Sequence, residues 1–287
     1  DASPLDPAGD IAEAGAPPAG VSIRVVKRAN GGPGAARNTA LDAVAKDCDL
    51  IAFIDSDDEW TPDHLSRAIE ALGDEGDFYF ANHKRNDGHP SDLDRSRFLK
   101  LADPEGRLAI AGVDVIQRPG AEIADFIVDD YLAHTSSIVI RASRLKAARY
   151  DERLRSAGED HVFSLDLALG ARQVCVSLKN EVVRGGGVSI YESAQAWGTP
   201  ADFRRRVFNI AALKLMQARS AWSDATRKRM AKRLLGLRGA AAFLLIKSTL
   251  RNGKLDAGLL WRQDPVTVWL APYFGLAFMT NKSLHSA

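Results

Sequence analysis

Five apolar residues in a row, Leu50-Ile51-Ala52-Phe53-Ile54, run between Asp49 and the acidic cluster Asp55-Ser56-Asp57-Asp58. A strand with one wet face alternates apolar and polar residues, so an unbroken run of this kind predicts a strand covered on both faces. Such a strand needs a layer above it and a layer below it, which points to an α/β arrangement. Its acidic end places charge where open α/β sheets bind ligands, outside the carboxyl ends of the strands.

The neighbouring segments agree with this frame. Ser22 to Val26 alternates like a short strand, and Asn30-Gly31-Gly32-Pro33-Gly34 is turn chemistry. Pro33 suits the first turn of a helix running through Ala35, Ala36, Ala40, Leu41 and Val44. Thr61-Pro62-Asp63 opens a helix to about Leu72, and Asp77 to Ala81 and Ser136 to Ile140 read as strands. Gly158-Glu159-Asp160 precedes a helix through Val162, Leu165 and Leu169. Gln173 to Leu178 and Glu181 to Val183 read as short strands before Gly185-Gly186-Gly187. Residues 83–125 are polar and weakly periodic and read as a variable excursion. The alternation predicts an open, mixed, mostly parallel sheet flanked by helices. From Pro200 the pattern becomes helical, with Phe203 to Trp222 followed by a Ser223-Asp224 cap and a second helix to about Leu250. The expected division is an α/β domain over 1–199 and a helical region over 200–287.

Charge follows that division. Residues 201–287 hold 16 Lys/Arg against 4 Asp/Glu, a net of +12, while residues 1–200 carry −11, within a total of +1. A basic, partly apolar tail suits an anionic membrane surface. Nucleic acid is not expected, because basic motifs interleaved with aromatics are absent. Val266 to Met279 is apolar but short and interrupted by Pro272 and Gly275, which predicts a segment lying on a membrane surface and not a span. Asp1 to Gly20 lacks the basic and apolar regions of a signal peptide. The two cysteines, Cys48 and Cys175, suggest neither a disulfide framework nor a zinc site, and a reducing compartment is expected.

Asp55 and Asp57, at i and i+2, put two carboxylates roughly 6–7 Å apart at the strand rise. Hard divalent cations take oxygen ligands, and Mg²⁺ commonly uses one or two carboxylates plus substrate phosphates. A D-x-D alone equally fits a solvated acidic loop. Upstream, the glycine-rich turn opens a helix whose N-terminus attracts anions, and Arg37 about a turn in has the fork to meet a phosphate.

Asn30-Gly31-Gly32 through Ala36-Arg37-Asn38, the apolar strand, and Asp55-Ser56-Asp57-Asp58-Glu59-Trp60 together resemble the glycosyltransferases of family 2, which have the GT-A fold. Their pattern runs N-G-G-x-x-x-A-R-N, an apolar strand, then D-x-D-D. Their glutamate–aspartate pair at a helix start is matched by Gly158-Glu159-Asp160, after the similar lead-in Tyr150-Asp151-Glu152-Arg153-Leu154. The resemblance covers roughly residues 1–195. It implies an enzyme that uses a nucleotide-diphosphate sugar donor and a glycan or lipid-linked acceptor, inverts the anomeric centre, and works in bacterial envelope or exopolysaccharide assembly; the basic tail and its surface-lying segment would place it at the cytoplasmic membrane face. It implies Mn²⁺ or Mg²⁺ on Asp57 with Asp55 assisting, Asp160 as the general base, and Glu159 as its orienting partner or rival. Aspartate is ordinarily ionised at pH 7 and ready to accept a proton. The pair alone also fits acids complementing a helix dipole.

Asn30, Gly31, Arg37 and Asn38 are implied on the donor side. Arg184 resembles a basic position near the diphosphate, though a surface arginine fits as well. His134 reads as structural. The chain departs from the pattern at its start: Asp1-Ala2-Ser3 is similar to the end of the V-D-D-x-S motif, with Asp1 matching its last aspartate, and the resemblance then implies that the first strand–helix–strand unit is absent from this sequence. Two rival readings are a sugar-nucleotide nucleotidyltransferase, which lacks support from an early Gly-rich loop with a lysine, and a degenerate sugar-nucleotide-binding module.

Overall fold

The structure, a computed structural model, describes residues 7–85, 88–101, 107–110, 113–185, 196–251, 253 and 255–284. Asp1, Gly186 and Gly187 lie outside the described residues. The chain forms α1 (Ala8–Glu13), α2 (Pro33–Asp42), β1 (Leu50–Ala52), β2 (Glu59–Trp60), α3 (His64–Leu72) and β3 (Phe78–Lys84). There follow α4 (Asp92–Arg95), α5 (Arg97–Leu101), β4 (Arg107–Ile110), β5 (Val113–Pro119), α6 (Gly120–Ile127), β6 (Val139–Arg141), α7 (Ala142–Leu145), α8 (Glu159–Gly170) and β7 (Gln173–Val183). The C-terminal part is α9 (Pro200–Arg219), α10 (Asp224–Leu250), α11 (Ala257–Gln263), α12 (Pro265–Trp269) and α13 (Ala271–Thr280).

The expected mixed sheet with flanking helices is present, in the order β1-β6-β3-β7-β5-β4 with β2 paired to β7. The sheet is not mostly parallel as expected: among the described residues β3 and β7 are the one parallel pair, and the other five pairings are antiparallel, because β2, β5 and β6 enter the sheet against the direction of their neighbours. β3 sits at the centre, with Phe78 opposite Val174 and Phe80 opposite Val176. Alternation along it divides the core. Phe78 and Phe80 join α6 and α8 in the larger cluster, while Tyr79 and Ala81 meet Ala68, Ala71 and Leu72 of α3. Helices therefore cover both faces of the central strands.

Several further sequence expectations change: β6 begins at Val139 and not Ser136, and the two short strands expected over 173–183 are one strand, β7. The Leu50–Ile54 run is a strand only over Leu50–Ala52; Ile51 and Phe53 are buried, whereas Ile54 is 48% exposed. β1 is an edge strand paired to β6 alone among the described residues, and on the face opposite buried Ile51, Leu50 is half-buried and Ala52 exposed. Ser22 to Val26 is not a strand, and Ile23, Val25 and Val26 are exposed. Alternation states which side chains share a face, but a strand also needs a partner for its backbone groups. The excursion at 83–125 contains β5, an internal strand between β7 and β4 with Val115 and Ile116 fully buried.

The tail is helical as expected, starting at the Thr199 cap with Pro200 in the first turn. Phe203, Val207, Ile210 and Leu213 are all buried, in the same core as Phe163 of α8 and Ile123 of α6. Arg229 of α10 binds both Asp125 and Asp129 at the end of α6, and Arg97 of α5 meets the same two acids. Fully buried Asp264 gathers Arg238, Lys214 and Thr267 around it. Burial works against its charge, but these donors outweigh it and hold the carboxyl below its usual range. The helical region is thus continuous with the α/β core.

Candidate active site

A cleft of about 600 Å³ opens at the ends of β1 and β3, between the start of α2, the acidic loop after β1 and the start of α8. It gathers Arg37, Asp55, Asp57, Glu159, Asp160 and Arg184. Asn30, Gly31 and Asn38 are not among its lining residues. Asn38 is instead buried, clipping the backbone of Tyr150: its amide donates to Tyr150 O at 3.0 Å and its Oδ1 accepts Tyr150 N–H at 2.8 Å. This holds the lead-in to α8. Tyr150 then stacks on Phe163 at 3.8 Å and meets Phe53 edge-on, linking α8 to the acidic strand.

The three acids after β1 have separate surroundings. Asp55 donates its backbone N–H to Ser136 Oγ at 2.9 Å, and its Oδ1 accepts from Arg37 Nη2 at 2.6 Å. Asp58 is nearly buried and bound at both oxygens: Ser136 Oγ donates at 2.6 Å and Gly185 N at 3.0 Å. It ties the loop after β1 to the end of β7. A Cβ on Gly185 would lie 1.5 Å from Asp57 O, so a side chain there would displace the acidic loop. Asp57 is exposed to the cleft, and its carboxylate has no hydrogen-bond or ion-pair partner among the described residues.

Arg37 lies between Asp55 and, at 3.7 Å, Glu159, with its guanidinium 5.3 Å from the Tyr150 ring centroid. Burial disfavours its charge, but Asp55 outweighs this and raises its pKa. The arginine expected on a phosphate thus first serves to hold Asp55.

Gly158, at φ +86°, turns the chain into α8; a Cβ there would come within 2.6 Å of Ala212 on α9. Glu159 and Asp160 follow at the positive end of the helix. Burial and then the neighbouring Asp160 push Glu159 up to about 8, leaving it largely protonated at neutral pH. The Asp160 carboxylate accepts His161 N–H at 2.8 Å on Oδ1 and the Tyr131 hydroxyl at 2.7 Å on Oδ2. His134 lines the cleft, its ring tilted at 38° against that of His83 with centroids 5.0 Å apart. Burial drives His134 down to about 4 and His83 to about 3, so both rings are neutral at pH 7. From the tail, Asn209 and Arg233 complete the wall.

Tyr131, Ser136, Asn209 and Arg233 escaped the sequence reading. Tyr131 and Ser136 lie in segments without diagnostic spacing, and the two tail residues reach the cleft only through tertiary packing.

Residues 1–134 match the sequence profile of glycosyl transferase family 2. The match spans somewhat less than half of the chain, which is similar to that family over its N-terminal part. The chain is also similar to the succinoglycan biosynthesis protein ExoW of Rhizobium meliloti (strain 1021), at 33% identity over 194 residues, which is 65% of this chain and 57% of that protein. The chain thus aligns with less than two thirds of that relative's length. The family 2 profile contains the glycine-rich turn, α2 and the acidic loop; Glu159 and Asp160 lie beyond it.

Members of the family generally use a divalent cation. Among the described residues no three His, Cys, Asp or Glu side chains gather into a metal cage. The donor set nevertheless fits Mn²⁺ or Mg²⁺: the Asp57 carboxylate has no partner among the described residues, Asp55 is two positions away, and such ions take few protein carboxylates when substrate phosphates complete the shell.

Proposed function

We propose that this chain transfers a sugar, with inversion, from a nucleotide-diphosphate donor to a hydroxyl of a glycan or lipid-linked acceptor in exopolysaccharide synthesis. The observation that carries the reading is the convergence on one cleft of Asp55, Asp57 and Asp160, which come from opposite ends of the α/β domain. The Asp160 carboxylate takes the proton of the acceptor hydroxyl as that oxygen attacks the anomeric carbon. The bond from that carbon to the donor phosphate oxygen breaks, and nucleoside diphosphate leaves with the electron pair. Glu159, holding its own proton, leaves Asp160 as the base. Asp57, assisted by Asp55, would hold the cation. When bound there it neutralises charge on the leaving diphosphate. Arg184 contributes positive charge on the same side of the cleft.

The test is a panel of UDP-glucose, UDP-galactose, UDP-N-acetylglucosamine and GDP-mannose, with Mn²⁺ and with chelator, on the full-length protein. Release of nucleoside diphosphate from one donor, lost on chelation, is expected. Silence across the panel from folded protein, with glycan acceptors present, would favour a non-catalytic sugar-nucleotide-binding module.

The reading includes attachment to the cytoplasmic membrane face. No helix among the described residues is long and apolar enough to cross a membrane. α13 buries Phe274 and Phe278 against α10 and leaves Tyr273, Leu276 and Met279 exposed, continuing a surface with Trp269, which is 74% exposed, and Leu270. Aromatic side chains on a basic helical surface suit anionic headgroups. Replacing Trp269 and Tyr273 together by Ala should weaken sedimentation with phosphatidylglycerol vesicles about tenfold. Unchanged sedimentation would sink the membrane assignment.

A further inference from the structure

The two hydrogen bonds on the Asp160 carboxylate differ in origin. His161 N–H comes from the backbone of the same helix, and any residue but proline at that position would supply it. The Tyr131 hydroxyl comes from the segment between α6 and β6, a separate part of the chain. The Tyr131 ring is held edge-on by His134 and His161, with centroids 6.5 and 5.8 Å away and interplanar angles of 85°. This aromatic bracket aims the hydroxyl at Asp160 Oδ2. Burial, and then the charge of Asp160, hold the phenol well above its ordinary value, so Tyr131 stays a donor across the working pH range.

We propose that Tyr131 is the positioning residue of the catalytic base, fixing the plane of the Asp160 carboxylate against the acceptor hydroxyl. This rests on the reading of Asp160 as that base. The terminal torsion of an aspartate is broad, and one bond to Oδ1 leaves the carboxylate free to swing about it. A second donor on Oδ2, from a rigid ring, removes that freedom. Misplacement of a reacting group by about 1 Å can cost on the order of a hundredfold in rate.

Tyr131→Phe keeps the ring and removes the donor. With whichever panel donor is turned over, kcat should fall roughly ten- to a hundredfold while the donor KM stays within about twofold. The acid limb of the kcat/KM profile should move to higher pH, because a bond favouring the ionised carboxylate is gone. A purely structural tyrosine would lower the melting temperature without moving that limb. Should the variant fold poorly, 3-fluorotyrosine placed at position 131 and followed by ¹⁹F NMR needs no turnover. Its resonance should titrate with Asp160 and lose that titration in Asp160→Asn.

A Tyr131→Phe profile superimposed on the wild type, or a ¹⁹F signal indifferent to Asp160→Asn, would overturn the proposal. Asp160→Asn, assayed alongside, separates the two ideas. If it retains transfer, the base reading fails and Tyr131 falls with it. If it is dead while Tyr131→Phe is unchanged, only the Tyr131 role falls.

Discussion

Asp160→Asn should abolish sugar transfer, by roughly 10³- to 10⁴-fold in kcat, while donor binding in titration calorimetry stays near wild type. The side chain keeps its shape, and Oδ1 can still accept His161 N–H. What disappears is the capacity to take a proton from the acceptor. Glu159 is a poor replacement, because burial and its neighbour keep it largely protonated at neutral pH. Removing the Asp160 charge removes one of the reasons for that elevation, so partial rescue above neutral pH would identify Glu159 as the substitute. Transfer retained at pH 7 would place the base elsewhere.

Asp57→Ala should remove the cation-dependent part of donor binding and lower kcat/KM by roughly 10³-fold, the several kcal/mol that a well-placed divalent ion contributes. The surroundings of the three acids explain why this position should respond most. Asp58 has both oxygens engaged, by Ser136 and Gly185, and Asp55 has Oδ1 engaged by Arg37. Asp57 alone of the three projects a carboxylate into the cleft without a partner among the described residues. Calorimetric titration of donor with and without Mn²⁺ measures the effect. An Asp57→Ala protein whose affinity still rises with Mn²⁺ would refute the assignment.

The parts of this molecule legible in its sequence are those whose function is local. The acids after β1, the glycine turn before α2 and the Gly158-Glu159-Asp160 start of α8 each combine a structural break with the residues that use it; the first and last line the cleft, and the turn leads into it through Pro33 and Arg37 of α2. Residues whose roles depend on distant partners could not be read this way. Asn38 belongs to a motif yet serves Tyr150, 112 positions later, and Arg37 beside it holds Asp55. β5 hides in a polar stretch because its neighbours satisfy its polar side chains: Gln117 donates to Ala71 O at 3.1 Å from within the sheet. The Leu50–Ile54 run overstated burial because hydrophobicity records a preference for cover, and cover must come from another part of the chain. Tyr131 carries no spacing signal, since its contact with Asp160 exists only once α6 and α8 are packed.

The join between α8 and the tail bears on protein engineering. Gly158 fits against Ala212, Asn209 and Arg233 wall the cleft, and Arg229 ties α10 to Asp125 and Asp129. A chimera that crosses over near residue 200, importing a foreign C-terminal cassette to change acceptor choice, would mismatch the turn that presents Asp160. Exchanges should carry residues 120–170 and the C-terminal helices from the same parent, so that Asp160, the proposed base, and its wall travel together.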